Sequence, residues 1–244
     1  MERYSIINEK NRREIVLLRG TGCRWRRCTF CDYHLDCSND EGANYEINKK
    51  ALSRVTGVYG KLEVINSGSF CDLDKDTMQL IISTCKAEKI STVYFECHYM
   101  HRHKVPEIKR LFSENGIAVH IKTGVETFDI DYRENVMKKG FEGAAPQDIA
   151  KYADEVCLLF GLTGQTKESM ENDIETGLRY FDRVCINIMT PNTTKISPNQ
   201  KVIKIFEREL APKYINNRDV DILFENTDFG VGAEEAVPGG GTNA

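Results

Sequence analysis

Short apolar runs alternate along the chain with longer stretches in which apolar residues recur at helical spacing. The runs are residues 14–18 (EIVLL), 62–66 (LEVIN), 92–97 (TVYFEC), 118–123 (AVHIKT), 156–161 (VCLLFG) and 184–189 (VCINIM). Each is rich in β-branched or other apolar residues, as a strand buried on both faces should be. Between them, DKDTMQLIISTCKAEK and TKESMENDIETGLRYF carry apolar residues at helical spacing behind acidic first turns. Strand followed by helix, six times over, predicts an α/β fold with a parallel sheet and right-handed crossovers: a partial (βα)6, TIM-like barrel. A last run, DVDILFEN, adds a seventh strand or an edge. The end, EEAVPGGGTNA, has no core-forming content, so residues 1–232 are expected to form one barrel domain and 233–244 a disordered tail.

Size and charge narrow the partners. At 244 residues the chain suits one domain with a full core. A formal net charge of -4 offers no general electrostatic grip on nucleic acid, so that partner is not expected. No apolar run is long enough to span a bilayer, and the start MERYSIINEKNRREIVLL is too charged for a signal peptide; together these predict a cytoplasmic protein. Nine cysteines in that setting point to metal chemistry, redox chemistry or plain burial rather than disulfides.

Three cysteines are grouped just past the first expected strand, at the end where parallel barrels gather their functional groups. They are Cys23, Cys28 and Cys31 in GCRWRRCTFCDYH, spaced C-x4-C-x2-C. Three chemistries suit the group. A structural zinc would take the thiolates with His34 as fourth ligand and make the chain a zinc-binding module without catalysis. A plant-type two-iron cluster uses this spacing with one distant cysteine, for which Cys71 is available, although a small electron carrier has no need of six βα units. A four-iron cluster on three thiolates leaves one iron open to substrate, and an open position is what separates a reacting metal from a closed structural one.

Other polar groups gather near strand ends. FECHYMHRH puts Glu96, His98, Tyr99, His101 and His103 after the third expected strand. Histidines so spaced ligate a metal, donate protons, or stand on the surface with no role. LFENTDFGVG brings Glu225, Asn226 and Asp228 past the last strand, where ionised carboxylates can pair with adjacent ring and amino donors of a purine-like base. Arg19, Arg24, Arg26 and Arg27 are either a solvated basic loop or a dock for an acidic electron donor such as a flavodoxin or ferredoxin. Cys85, Cys157 and Cys185 fall on apolar faces and read as small core residues, while Cys37, Cys71 and Cys97 lie near strand ends or loops.

The cysteine spacing, its place after the first strand, and Phe30 just before the last cysteine resemble the radical SAM superfamily, and the resemblance extends over nearly the whole chain. The usual spacing there, C-x3-C-x2-C, is one residue shorter in its first gap, a difference a loop absorbs. The resemblance implies a [4Fe-4S] cluster on Cys23, Cys28 and Cys31, with S-adenosyl-L-methionine (SAM) on the open iron. It implies that Ser67, Gly68 and Ser69 in NSGSF receive the SAM amino group, where the family often has Gly-Gly-Glu; the Glu is absent here. Glu126 in KTGVETFD would meet the ribose hydroxyls and Lys122 the carboxylate, with Gly161, Leu162 and Thr163 in FGLTGQTKESM beneath the adenine. Local readings stand beside these: Gly68 and Gly164 as turn glycines, Glu126 as the cap of a helix beginning near Asp129. The implied chemistry is reductive cleavage of SAM to methionine and a 5′-deoxyadenosyl radical that takes hydrogen from the substrate.

Because the barrel uses nearly all of the chain, the substrate is expected to be a small molecule. Among small members the chain is similar to the lyases that split the free base queuine to 7-aminomethyl-7-deazaguanine. That likeness assigns Glu96, Glu225, Asn226 or Asp228 to the deazaguanine edge, and His98, His101 or His103 to the cyclopentenediol or the amine leaving group. Radical SAM enzymes that modify a tRNA base or another nucleobase share every cluster argument, and a zinc module shares only the cysteines.

Overall fold

β-Branched and aromatic residues at every second position give the apolar runs one face that belongs against helices. In the computed structural model, which describes residues 1–232, they form one eight-stranded sheet: β1 (Tyr4–Ile7), β2 (Arg13–Leu18), β3 (Lys61–Asn66), β4 (Thr92–Glu96), β5 (Ala118–Glu126), β6 (Glu155–Phe160), β7 (Arg183–Ile188) and β8 (Val220–Leu223). Spatial order equals chain order. β2 to β8 are parallel to their neighbours, and the sheet is an open half-barrel. The partial TIM-like barrel is therefore present with β8 as its seventh parallel strand, and a short antiparallel β1 pairs with β2 at the edge. The expected tail, 233–244, lies outside the described residues.

The connections are α1 (Glu41–Leu52), α2 (Lys75–Ala87), α3 (Val105–Ser113), α4 (Pro146–Ile149), α5 (Lys167–Tyr180), α6 (Gln200–Ile205) and α7 (Ala211–Tyr214). Asp40, Asp74 and Thr166 cap α1, α2 and α5 by accepting from the backbone N–H groups of Ala43, Thr77 and Ser169, one of the orphan donors at each helix start. The outward sheet face carries Val16, Leu62, Val64, Phe95, Val156 and Ile186 into the main apolar core.

The strands are not apolar on both faces, which corrects the expectation. The inner face of the half-barrel carries Arg13, Glu63, Tyr94, Lys122, Glu155 and Asp221, and these charges neutralise one another. Glu63 bonds Arg13 on one side and Lys122 on the other, and all three are almost fully buried. Burial alone would raise the Glu63 carboxyl, but the two cations outweigh it and hold it at about 2. This ionic floor lies toward the strand starts and leaves the space above it, toward the strand ends, for a ligand.

Candidate active site

The cysteine loop leaves β2 and is tied down by three neighbouring loops. The Cys23 N–H donates to the Ser67 carbonyl at 3.0 Å and the Thr21 N–H to the Asp72 carbonyl at 2.9 Å, fixing its start on the loop after β3. Trp25 Nε1 donates to the Lys138 carbonyl at 2.7 Å, and the Thr29 N–H to the Met137 carbonyl at 3.1 Å, both on the segment after β5. Asn192 Nδ2, after β7, donates to the Phe30 carbonyl at 2.7 Å. The long first gap turns at Arg26, whose φ of 47° is left-handed and whose Nε donates to the Cys23 carbonyl at 2.8 Å. The extra residue is thus taken up inside the loop, and Cys28 and Cys31 still pack with Phe30, Met137, Leu159, Leu162 and Met189.

The donor set decides between the metals. Thiolates on one tetrahedral zinc stand about 3.8 Å apart, from Zn–S bonds of about 2.3 Å. Among the described residues, Cys23, Cys28, Cys31 and His34 contain no three ligand atoms mutually within 4.8 Å, a wider spacing than one zinc ion holds. Cys71 sits instead with Asp72 and His101, and does not serve as a distant fourth ligand. Three spaced thiols facing the open end of a barrel fit a cluster that takes one thiolate per iron. Burial raises the Cys28 thiol and pushes Cys31 up to about 12, with the nearby Lys139 pulling the other way. Iron bonded to such thiols would deprotonate them outright.

Around the thiols stand most of the expected SAM contacts. Gly68 is more than a turn glycine: a Cβ there would lie 2.4 Å from Asp72 Oδ2 and 2.9 Å from the Cys23 nitrogen, so only glycine admits this approach of the two loops. The Ser67 hydroxyl donates to the Asp36 carbonyl at 2.7 Å and Ser69 Oγ accepts from the His98 N–H at 3.0 Å, which leaves the backbone of this loop as the more available group. Gly161, with φ of 97°, opens the turn after β6; Leu162 is buried and the Thr163 carbonyl accepts from the Tyr132 hydroxyl at 2.7 Å.

Glu126 does not cap a helix; Asp129 does, accepting from the Tyr132 N–H at 3.0 Å. Glu126 lies at the register shift of β5 against β6, with φ of 66°, and its carboxylate accepts from Lys139 Nζ at 2.7 Å. Burial works against charge on Lys139, but Glu126 outweighs it and the group stays an ammonium. Lys122, expected at the SAM carboxylate, is engaged with Glu63 deep in the barrel: it sits two strand positions before Gly124, below the strand end. The cation beside the thiols is Lys139, which the sequence reading missed because it lies on a segment with no motif.

The histidines disperse. His98 is an internal support: its Nδ1 accepts from the Met100 N–H, so its Nε2, 2.8 Å away, donates to the Lys139 carbonyl, and its ring stacks on Trp25 at 5.5 Å between centroids. Burial, with Lys139 nearby, lowers its pKa to about 3, so it stays neutral and is no general acid near pH 7. His101 is buried beside Asp72, and His103 is exposed. Of the group only Glu96 faces the lumen, where burial pushes its carboxyl up to about 7 despite partial relief from Lys122. Tyr33, unflagged in the sequence, follows Cys31 by two positions and is 58% exposed.

After β8 the expected carboxylates turn to local roles. Asp228 Oδ2 accepts from the N–H groups of Phe224 and Glu225, closing its own turn, while Glu225 is exposed. Asn226 Nδ2 donates to Thr190 Oγ1 at 2.9 Å, joining this loop to the one after β7. Cys157 and Cys185 are register partners on β6 and β7 and face Lys122 on the inner side rather than the helix-packed core, because they alternate with Val156, Leu158, Val184 and Ile186. Cys85 is a core residue as expected. Arg19 Nε donates to Asn44, away from the group; Arg24, Arg26 and Arg27 are exposed around the thiols, with Arg27 over the Trp25 ring.

Comparison with known proteins found no matching family model and no matching curated protein. Among solved structures, the chain is 42% identical to "queuine lyase from Clostridium spiroforme bound to SAM and queuine", over 96% of this chain and 100% of that one, with a TM-score of 0.91. A spore cortex-lytic enzyme of Bacillus megaterium (14% identity, 68% of this chain and 44% of that one, TM-score 0.33) and a sporulation-specific glycosylase-like protein of Bacillus subtilis (11%, 84% and 78%, TM-score 0.32) are too distant to carry any argument.

Proposed function

This chain belongs to the queuine lyases of the radical SAM superfamily, and on that premise we propose that it binds SAM and queuine in its half-barrel and cleaves the carbon–nitrogen bond that releases 7-aminomethyl-7-deazaguanine. One observation carries the reading to these residues: three spaced thiols, with Cys28 and Cys31 desolvated, border the same lumen as a carboxyl, Glu96, whose burial pushes it up to about 7.

A [4Fe-4S] cluster with SAM, when bound, would supply the electron and the 5′-deoxyadenosyl radical chemistry. Cys23, Cys28 and Cys31 would hold the cluster. The Ser67–Gly68–Ser69 backbone receives the SAM amino group, Glu126 the ribose hydroxyls and Lys139 the carboxylate; Gly161, Leu162 and Thr163 lie beneath the adenine, and Phe30 walls the cluster. Glu96 reads the deazaguanine edge, because an ionised carboxylate accepts from two adjacent N–H donors. Glu63, Arg13 and Lys122 form the fixed polar floor. Glu225 and Asn226 contribute from the rim, and His98 acts by holding Trp25 and the Lys139 segment rather than by moving protons.

Arg24, Arg26 and Arg27, exposed beside the thiols, form the face for an acidic electron donor such as a flavodoxin or ferredoxin. Among the described residues no helix is long and apolar enough to cross a membrane. A reducing cytoplasmic setting suits the free thiols.

The test is anaerobic reconstitution with iron and sulfide. The chain should bind four irons and cleave SAM with dithionite, and Cys23→Ala, Cys28→Ala and Cys31→Ala should each lose both properties. A colourless protein that holds zinc on these cysteines and never cleaves SAM would overturn the reading.

A further inference from the structure

Behind the Ser67–Ser69 loop lies a second set of ligand-type side chains that the proposed reaction does not use. Cys71 and Asp72 come from the short helical turn Phe70–Asp72 after β3; Cys97 follows β4, and His101 lies in the turn Tyr99–Lys104 beyond it. One ligand atom each from Cys71, Asp72 and His101 lie mutually within 4.8 Å. The Cys97 thiol is close enough to both Cys71 and Asp72 for their charges to raise it further than burial alone does.

Two of these residues have buried atoms with no partner. Asp72 is 2% exposed and His101 6%, yet Asp72 Oδ1 and His101 Nε2 accept or donate no hydrogen bond. Asp72 is otherwise well used: its Oδ2 accepts from the Ser69 N–H at 2.8 Å, so the residue is fixed with its second oxygen turned to this space. Arg24 Nε stands 3.4 Å from that oxygen as an ion pair, from an arginine whose side chain is 60% exposed. Buried polar atoms in native proteins almost always have a hydrogen-bond partner, and here an imidazole nitrogen has none while the carboxylate oxygen beside it has only the ion pair to a largely exposed arginine.

We propose that Cys71, Asp72 and His101, with a solvent oxygen as fourth ligand, form a second, mononuclear metal site of the zinc type, separate from the three-cysteine site. The donor set is the mixed sulfur, nitrogen and oxygen set that zinc takes, and zinc bonds of about 2.0–2.3 Å require these ligand atoms to draw together by only about 1 Å. One thiolate and one carboxylate neutralise a divalent ion; the Cys97 thiol lies outside the group and donates to the His98 carbonyl at 3.4 Å. Cys71 also lines the surface groove between α2 and α3, with Leu73, Met78, Lys104 and Ile108, which gives an ion a route in. The ion would fasten the loop after β3 to the loop after β4. Both flank the thiols, since Ser69 Oγ and Asp72 already join them through His98 and Cys23's neighbour Gly68. Its role is to fix the shape of the opening; it takes no part in the radical step.

The experiment uses the full chain carrying Cys23→Ser, Cys28→Ser and Cys31→Ser, which removes the other thiol site and makes the outcome independent of the queuine lyase reading. After exposure to Zn²⁺ and gel filtration, the proposal expects one zinc per chain; with Co²⁺ instead, it expects thiolate-to-cobalt charge-transfer absorption and intense tetrahedral bands. Both should be lost on adding Cys71→Ser or His101→Gln. If the triple variant does not fold, the same Co²⁺ spectrum is read on the iron-loaded native chain as a difference from its Cys71→Ser form. A folded chain that retains no zinc, or zinc and cobalt bands that survive Cys71→Ser and His101→Gln unchanged, overturns the site.

Discussion

Replacing Glu96 by glutamine should stabilise the fold and weaken substrate binding, opposite effects that a merely structural residue would not produce. Burial raises the Glu96 carboxyl from 4.5 to about 7. Between those values the folded state holds a proton that the unfolded chain has released, so stability falls as pH rises; it is greatest below 4.5 and fully reduced above about 7. Each pH step of one in that window costs about 1.4 kcal/mol. With discount for water in the open lumen, the total is about 2–3 kcal/mol. Glu96→Gln removes this cost. The assay is urea unfolding of the anaerobic protein at pH 5 and pH 8, compared between the two chains, which cancels every other titrating group. The variant should gain about 2–3 kcal/mol relative to the native chain between the two pH values. At pH 8 it should also bind queuine about 10- to 100-fold more weakly, as expected for losing charge-assisted hydrogen bonds worth about 1.5–3 kcal/mol. A stability difference that does not change with pH, or queuine affinity equal in both chains, would refute the assignment.

Glu63→Gln leaves Arg13 and Lys122 buried without their shared anion. It should cost about 3–5 kcal/mol in urea unfolding, and a loss under 1 kcal/mol would contradict the ionic floor. Lys139→Met removes the ammonium beside the thiols, and isothermal titration should show SAM binding at least about tenfold weaker, the worth of one charge-assisted contact, at unchanged iron content. Lys122→Met should instead act on stability; a larger effect on SAM affinity than that of Lys139→Met would restore Lys122 to the SAM carboxylate.

The strands were legible because each apolar run is short and dense, and six of them fall within a few residues of β2 to β7. β1 escaped notice because YSII is only four residues long and lies among charges. The inner face was misread for a reason of period: Glu63 and Lys122 each sit one position from apolar neighbours, Arg13 lies just before its apolar run, and their mutual neutralisation links strands up to 109 residues apart, from Arg13 to Lys122, which no local window contains. The grouping of the three cysteines was legible from their spacing. Their neighbours from elsewhere in the chain were not, because Lys139 comes to the thiols from an irregular segment that carries no motif. The histidines looked like one constellation in FECHYMHRH, but the helical turn at Tyr99–Lys104 points His98, His101 and His103 to three different surroundings. The same turn brings His101 to Cys71 and Asp72, a grouping invisible in a sequence that separates them by up to 30 positions, from Cys71 to His101.

The most direct test of the account is an anaerobic reaction of the iron-loaded chain with dithionite, SAM and queuine, analysed by mass spectrometry. The account predicts 5′-deoxyadenosine whose formation rises with queuine and is accompanied by 7-aminomethyl-7-deazaguanine. SAM cleavage indifferent to queuine, with no aminomethyl base formed, would contradict it.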